Sequence, residues 1–223
     1  MKIALITGAT SGIGMATAKL FAAKGYKLIL CGRRTERLNE LKNELNTEVH
    51  TLTFDVRNRE DVFKALESIP TEFKDIDILL NNAGNAHGLS SIQNGNLDDW
   101  DAMMDGNVKG LLYVTKAILP NMIARNSGFI VNIGSVAAKE VYPNGNVYCA
   151  SKHAVDALSK SMRVDLAGHN IRVAAIHPGA VETEFSEVRF KGDTEKAAGV
   201  YQGFDALQAQ DIAEIIEFIT SRP

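Results

Sequence analysis

The sequence predicts an α/β fold: a doubly wound parallel sheet with helices on both faces. Three observations carry this expectation. Short apolar runs alternate with amphipathic stretches along the 223 residues. The first run ends in a glycine-rich turn that opens into a helical pattern. No repeat, low-complexity tract or linker breaks the alternation, so one domain over residues 1–223 is expected.

The elements follow in order. Lys2–Thr7 reads as the first strand, and Gly14–Lys24 as the helix that leaves the turn. Lys27–Cys31 and Thr35–Leu45 form the next strand and helix, then Val49–Phe54 and Arg59–Ile69. Ile76–Leu80 is the fourth strand, and Leu97–Ile123 is one long helix. Phe129–Ile133, the helix Val147–Leu166 and the strand Ile171–Ile176 complete the alternation. Each strand run is short and apolar, as strands buried on both faces are. Residues 182–203 are rich in charge and glycine, and should form a loop or short helices over the cleft. A last helix is expected over Ala209–Thr220.

Composition narrows the function. Hydrophobic residues make up 45% of the chain and charged residues 23%, the balance of a soluble globular domain. A net charge of −3 gives no electrostatic case for nucleic acid. No apolar run reaches the roughly 20 residues a membrane span needs. The first strand is expected at the chain start, unlike a secretory leader, so a cytoplasmic setting is expected. Cys31 and Cys149 are the only cysteines, too few for a disulfide framework. No set of His, Cys, Asp and Glu has the spacing of metal ligands.

Two motifs point to chemistry. Thr7-Gly-Ala-Thr-Ser-Gly-Ile-Gly14 stands between strand and helix. Its glycines allow a tight turn and close backbone approach, and the helix start offers free N–H groups to a pyrophosphate. Tyr148 and Lys152 stand four residues apart, which places them on one helical face. A nearby ammonium favours the phenolate, so the tyrosine's pKa should fall from about 10 towards neutrality. Ser135 follows an apolar run, so its hydroxyl should lie at a strand's carboxyl end. Together the three residues can move a proton onto or off a carbonyl oxygen.

These residues resemble the short-chain dehydrogenase/reductase family over nearly the whole chain, which implies a Rossmann-type sheet. The carriers are the glycine-rich turn, Asp55-Val56, Asn81-Asn-Ala-Gly84, Asn107, Ser135, Tyr148-x-x-x-Lys152, and Pro178-Gly179 with Thr183. The resemblance implies an enzyme acting on CH–OH groups, with Asn107, Ser135, Tyr148 and Lys152 as its catalytic set. It implies cofactor contacts at Thr7, Gly8, Thr10, Ser11, Gly12, Ile13, Gly14, Asp55, Val56, Asn82, Ala83 and Gly84. Further contacts are expected from Tyr148, Lys152, Pro178, Gly179, Val181 and Thr183. Asp55 would hydrogen-bond the adenine, and Asn107 would support a water-linked proton path to Lys152. A homodimer or homotetramer is also implied. Relatives add another strand and tail beyond Ser221-Arg-Pro223, which often build a second subunit interface.

Within the family, Gly32-Arg-Arg-x-Glu-Arg-Leu38, Asn144-Gly-Asn-Val-Tyr148 and Thr183–Asp193 resemble NADP-dependent 3-hydroxy acid dehydrogenases. The expected reaction therefore interconverts a small 3-hydroxy acid and its 3-oxo acid or semialdehyde. The competing reading is a general reductase of ketones, aldehydes or 3-oxoacyl groups. An NAD enzyme would place an acid after the second strand, where this chain has Gly32 and then Arg33. NADP(H) is thus expected, with Arg33 on the 2′-phosphate and Arg34 as solvated charge. Ser135, Tyr148 and Arg189 are the expected substrate contacts. For Arg189 the choice lies between a substrate carboxylate and solvent. His87 could line the cleft, His177 reads first as a packed histidine, and Trp100 as a helix anchor.

Overall fold

In the computed structural model residues 1–222 are described, and Pro223 lies outside them. Six parallel strands form one sheet: β1 (Ile3–Thr7), β2 (Lys27–Gly32), β3 (Val49–Thr53), β4 (Ile78–Asn81), β5 (Gly128–Ile133) and β6 (Ile171–Ile176). Their spatial order is β3-β2-β1-β4-β5-β6. The order runs outward in opposite senses from β1 and β4, and the chain crossovers there leave a crevice at the strands' carboxyl ends. All six expected strands are present within two residues of the apolar runs that announced them.

The helices are α1 (Gly12–Ala23), α2 (Thr35–Glu44), α3 (Arg59–Glu67), α4 (Leu97–Met104), α5 (Leu111–Arg125), α6 (Asn146–Asp165), α7 (Phe185–Arg189), α8 (Thr194–Gly199) and α9 (Ala209–Ser221). Alternate residues of each strand face opposite layers. Leu5, Ile29 and Leu79 pack with Val62, Val114, Ile118 and Met162 of α3, α5 and α6. Ala4, Ile6, Leu28 and Leu80 pack with Phe21, Leu38, Ile212 and Ile216 of α1, α2 and α9. Each fully buried Leu, Ile or Phe contributes about 1.5–3 kcal/mol, so these layers hold the site's scaffold. A buried polar ladder fixes the central strands against the helices. Asn81 Nδ2 donates to Thr115 Oγ1 and to Asn132 Oδ1, each at 2.9 Å, and Asn132 Nδ2 donates to Ser159 Oγ at 2.9 Å.

Two expectations change. The long helix over Leu97–Ile123 is not continuous: residues Asp105–Gly110 form a π-helical turn between α4 and α5. That turn carries an extra residue, a feature common where a helix serves a site. Gly110 presses on Val56 there, and a Cβ would lie 2.8 Å from Val56 Cγ2. Residues 182–203 hold α7 and α8, and a short parallel pair joins β7 (Val181–Glu182) to β8 (Leu207–Gln208). Two-residue strands carry no readable periodicity, which is why this pair went unanticipated.

Candidate active site

A cavity of about 320 Å³ opens at the carboxyl ends of the strands. The glycine-rich turn forms its floor. Gly8 and Gly12 take left-handed φ values of 65° and 51°, which glycine adopts without strain. A Cβ on Gly14 would collide with the Gly8 carbonyl oxygen, so α1 can approach β1 only with glycine there. Ser11 is the N-cap of α1 but makes no side-chain cap bond, so the helix start keeps donors for an anion.

Thr10, Ser11, Gly12, Ile13, Asp55, Val56, Asn82, Ala83, Gly84, Pro178, Gly179, Val181 and Thr183 all line the cavity, with Gly8 and Arg33. Three expected site residues stand behind the wall instead. Thr7 is buried, and its Oγ1 accepts from the backbone N–H of Asn82 and Ala83, each at 3.0 Å. It shapes the loop and is not itself on the cavity wall. Gly14 serves packing, as above. Asn107 lies in the π-helical turn with its amide fully engaged. Its Oδ1 accepts from Asn85 N at 2.8 Å, and its Nδ2 donates to Asn85 O at 2.8 Å and Ser151 Oγ at 3.0 Å.

Both arginines line the cavity, and Arg34 is more engaged than expected. Arg34 lies across the glycine-rich loop: its Nη2 donates to Thr10 Oγ1 at 2.8 Å and to Ser11 Oγ at 3.0 Å. Arg33 points outward, with its side chain 58% exposed and Asp55 at 3.7 Å. Arg34 is therefore not merely a solvated charge. Its backbone is extended at the N-cap of α2, from which its side chain reaches the glycine-rich loop. Asp55 is gripped by Arg57, whose Nη2 donates to Oδ2 at 2.7 Å. Burial works to raise the Asp55 pKa, but the Arg57 bonds and charge outweigh it and hold the carboxyl low. Arg57 and Asn85 were missed by sequence reasoning. Asn85 Oδ1 is buried with no partner among the described residues, and Asn85 lines the cavity.

At the far end Ser135, Tyr148 and Lys152 meet, as their spacing implied. Ser135 caps a short 3₁₀ turn at the end of β5, and its Oγ accepts from Ala137 N at 3.1 Å. Tyr148 and Lys152 share the buried face of α6. Lys152 Nζ donates to Ile133 O at 2.9 Å and lies 5.9 Å from the Tyr148 ring centroid. Burial lowers the Lys152 pKa to about 8. The Tyr148 pKa is not lowered, as expected from its neighbour, but raised to about 12. Burial is the dominant cause, and the Ser135 hydroxyl and the Arg189 charge only partly oppose it.

Arg189 stands at the same end. Its Nε donates to Gly88 O at 3.1 Å, and its guanidinium carbon lies 5.7 Å from the Tyr148 ring centroid and 5.6 Å from that of Tyr142. It is half-buried and lines a smaller cavity that also touches Tyr148. His87 and Trp100 line the same cavity, of about 60 Å³. Trp100 also packs against the cluster around Met103 and Tyr148, the anchor its helical position suggested. His177 is a packed histidine: Nδ1 lies 3.1 Å from Ser135 O, and Nε2 lies 3.2 Å from Asp156 Oδ1. No group of three metal-ligating side chains comes together among the described residues. Nor is any helix among them long and apolar enough to cross a membrane.

Comparison with known proteins agrees with this geometry. The short chain dehydrogenase family profile matches residues 2–194. The NADP-dependent 3-hydroxy acid dehydrogenase YdfG of Salmonella typhi is 47% identical over 222 residues, covering 99% of this chain and 90% of that protein. The serine 3-dehydrogenase of Rhizobium radiobacter is 45% identical over 219 residues, covering 98% and 88%. The closed form of a serine dehydrogenase complexed with NADP+ superposes with a TM-score of 0.95 at 47% identity, covering 99% and 90%. On this match and these relatives, the chain belongs to the short chain dehydrogenase family.

Proposed function

We propose that this protein is an NADP(H)-dependent dehydrogenase that interconverts a small 3-hydroxy acid and its 3-oxo acid or semialdehyde. The observation that carries the reading is Arg189, a guanidinium anchored on Gly88 O and set beside Tyr148. A carboxylate two bonds beyond a reacting carbon needs a cation in that place. The relatives' activities support the same reaction.

The cavity's residues suit such a cofactor. The helix start and glycine cradle would take the pyrophosphate, and Arg34 with Arg33 would take a 2′-phosphate. Asp55 and Val56 would border the adenine. The cofactor supplies the hydride donor or acceptor. Asn82, Ala83 and Gly84 would border its ribose, with Pro178, Gly179, Val181 and Thr183 at the nicotinamide end. Tyr148 moves the proton: its oxygen takes the hydroxyl proton in oxidation and returns it in reduction. Ser135 Oγ orients the substrate oxygen, and such positioning is worth several kcal/mol of barrier, about 3 for one well-placed donor. Lys152, held by Ile133 O, keeps a positive charge beneath the phenol. Asn107 acts by holding Asn85 and the Gly84 loop beside Lys152. A cytoplasmic homodimer or homotetramer is the setting this reading implies, and light scattering tests the assembly.

The decisive test is initial rates with NADPH and NADH against malonic semialdehyde, a carboxyl-free aldehyde and a 3-oxo ester, with and without Arg189→Met. Turnover should require NADPH and a carboxylate. Arg189→Met should raise KM for the acid substrate about 10–100-fold, the loss of one charge-assisted contact. Faster turnover of the neutral carbonyls by the native enzyme would move the protein to the general carbonyl reductases.

A further inference from the structure

Glu184 stands at the start of α7, and its carboxylate is held by two arginines from a distant part of the chain. Arg37 Nη1 donates to its Oε1 at 2.7 Å and its Oε2 at 2.9 Å. Arg34 Nη1 donates to Oε2 at 3.1 Å. The same Arg34 guanidinium spends its other donors on the hydroxyls of Thr10 and Ser11. One side chain therefore touches the glycine-rich loop on one side and the α7 segment on the other. Next to it, the Thr183 methyl rests over Gly12, 3.2 Å from where a Cβ would stand. The segment's other end is tied beside Tyr148, where Gly88 N donates to Arg189 O at 2.9 Å. The stretch Thr183–Arg189 thus forms a strap pinned at both ends of the cavity.

We propose that Glu184 is a positioning residue that fastens this strap to Arg34, which reads the cofactor's 2′-phosphate, with Arg37 as a brace outside the cavity, so that cofactor choice and assembly of the substrate site are coupled. The inference rests on the NADP(H) reading above. Charge supports coupling over competition. Arg57 pairs with Asp55 and Arg37 with Glu184, each at 2.7 Å, and Asp105, which also acts on Arg57, is paired with Lys109, so Arg33 and Arg34 are in excess of the carboxylates. Two positive charges are left over, close to the roughly −1.5 to −2 of a phosphate monoester. The phosphate completes the cluster without displacing Glu184. Partly exposed ion pairs are weak singly, but several donors on one carboxylate act as a network. Arg34's position also lets it transmit order. Held on both flanks, it loses little freedom when a phosphate arrives.

Arg37 does not line the cavity, so Arg37→Gln cuts the fastening from outside, and Glu184→Gln cuts it from the strap. Hydrogen exchange of residues 183–191 in the ligand-free protein should speed about fivefold in both variants. In the native protein, 2′,5′-ADP should slow that exchange more than 5′-ADP does, and Glu184→Gln should erase the difference. In turnover, Arg37→Gln should raise the acid substrate's KM about fivefold while kcat and the NADPH Kd stay within about twofold. Unchanged exchange in both variants would overturn the fastening, and equal protection by the two nucleotides would overturn the coupling. Equal turnover with NADPH and NADH would instead sink the cofactor reading, whatever the exchange rates show.

Discussion

Replacing Lys152 by Met should abolish turnover and yet stabilise the protein at neutral pH. Lys152 is buried in the wall of the cavity, and desolvation lowers its pKa from 10.5 to about 8. At about 1.4 kcal/mol per pH unit, keeping that ammonium charged in the fold costs roughly 3 kcal/mol at pH 7. The hydrogen bond from Nζ to Ile133 O returns about 1 kcal/mol of the amount a methionine would recover. A net gain of about 2 kcal/mol is expected, a rise in Tm of about 4–8 °C for a domain of this size. The pH dependence is a second signature. Between about pH 8 and about pH 10.5 the unfolded lysine still holds its proton and the folded one does not. The unfolded state binds more protons there, so native stability rises with pH and the variant's advantage shrinks. Thermal melts of the ligand-free pair from pH 6.5 to 10 read both effects, and subtraction cancels groups common to the two proteins. A variant less stable than the native protein at pH 7, or a difference flat across pH, would refute the reasoning.

Tyr148→Phe should lower kcat by about 10²–10⁴-fold while NADPH binding, followed by nucleotide fluorescence, is unchanged. Burial holds the Tyr148 pKa at about 12 in the ligand-free protein, so the phenol keeps its proton at neutral pH. Oxidation needs the deprotonated oxygen and should speed up as pH rises, whereas reduction needs the phenol and should not. Rate profiles in the two directions check this, and the same rising limb in Tyr148→Phe would exclude the tyrosine as its source. Arg34→Leu should weaken NADPH binding about 10–100-fold, because it removes a guanidinium seated on Thr10 and Ser11. Arg33→Leu, at a mostly exposed side chain, should cost at most about fivefold. A titration with the order reversed would return the 2′-phosphate to Arg33.

Much of this fold was legible because both its periodic signals are strong. Strands buried on both faces leave unbroken apolar runs, and every run from Lys2–Thr7 to Ile171–Ile176 became a strand. Ser135, Tyr148 and Lys152 met because two are fixed by helical spacing and the third by a strand end. What stayed hidden depends on long-range geometry. No local pattern shows that Arg34 reaches across to Thr10 and Ser11, since that contact joins the cap of α2 to a loop over twenty residues away. The Glu184 contacts join residues 147 and 150 positions apart, beyond any spacing rule. The Tyr148 pKa failed for a different reason. Lys152 does stand beside the Tyr148 ring, but burial, which sequence does not quantify, dominates and outweighs the lowering by Ser135 and Arg189.

The π-helical turn at Asp105–Gly110 means that one helical rod reads its sequence in two frames. An added residue turns everything beyond it by about 100° relative to a regular helix. On one side of the offset the stripe of Val114, Ile118 and Met122 packs in the core, and within it the side chain of Asn107 holds Asn85. The offset works as a clutch between scaffold and chemistry. A one-residue deletion within it would keep the helix intact and slip the two apart, leaving a folded protein with its Asn85 loop unheld.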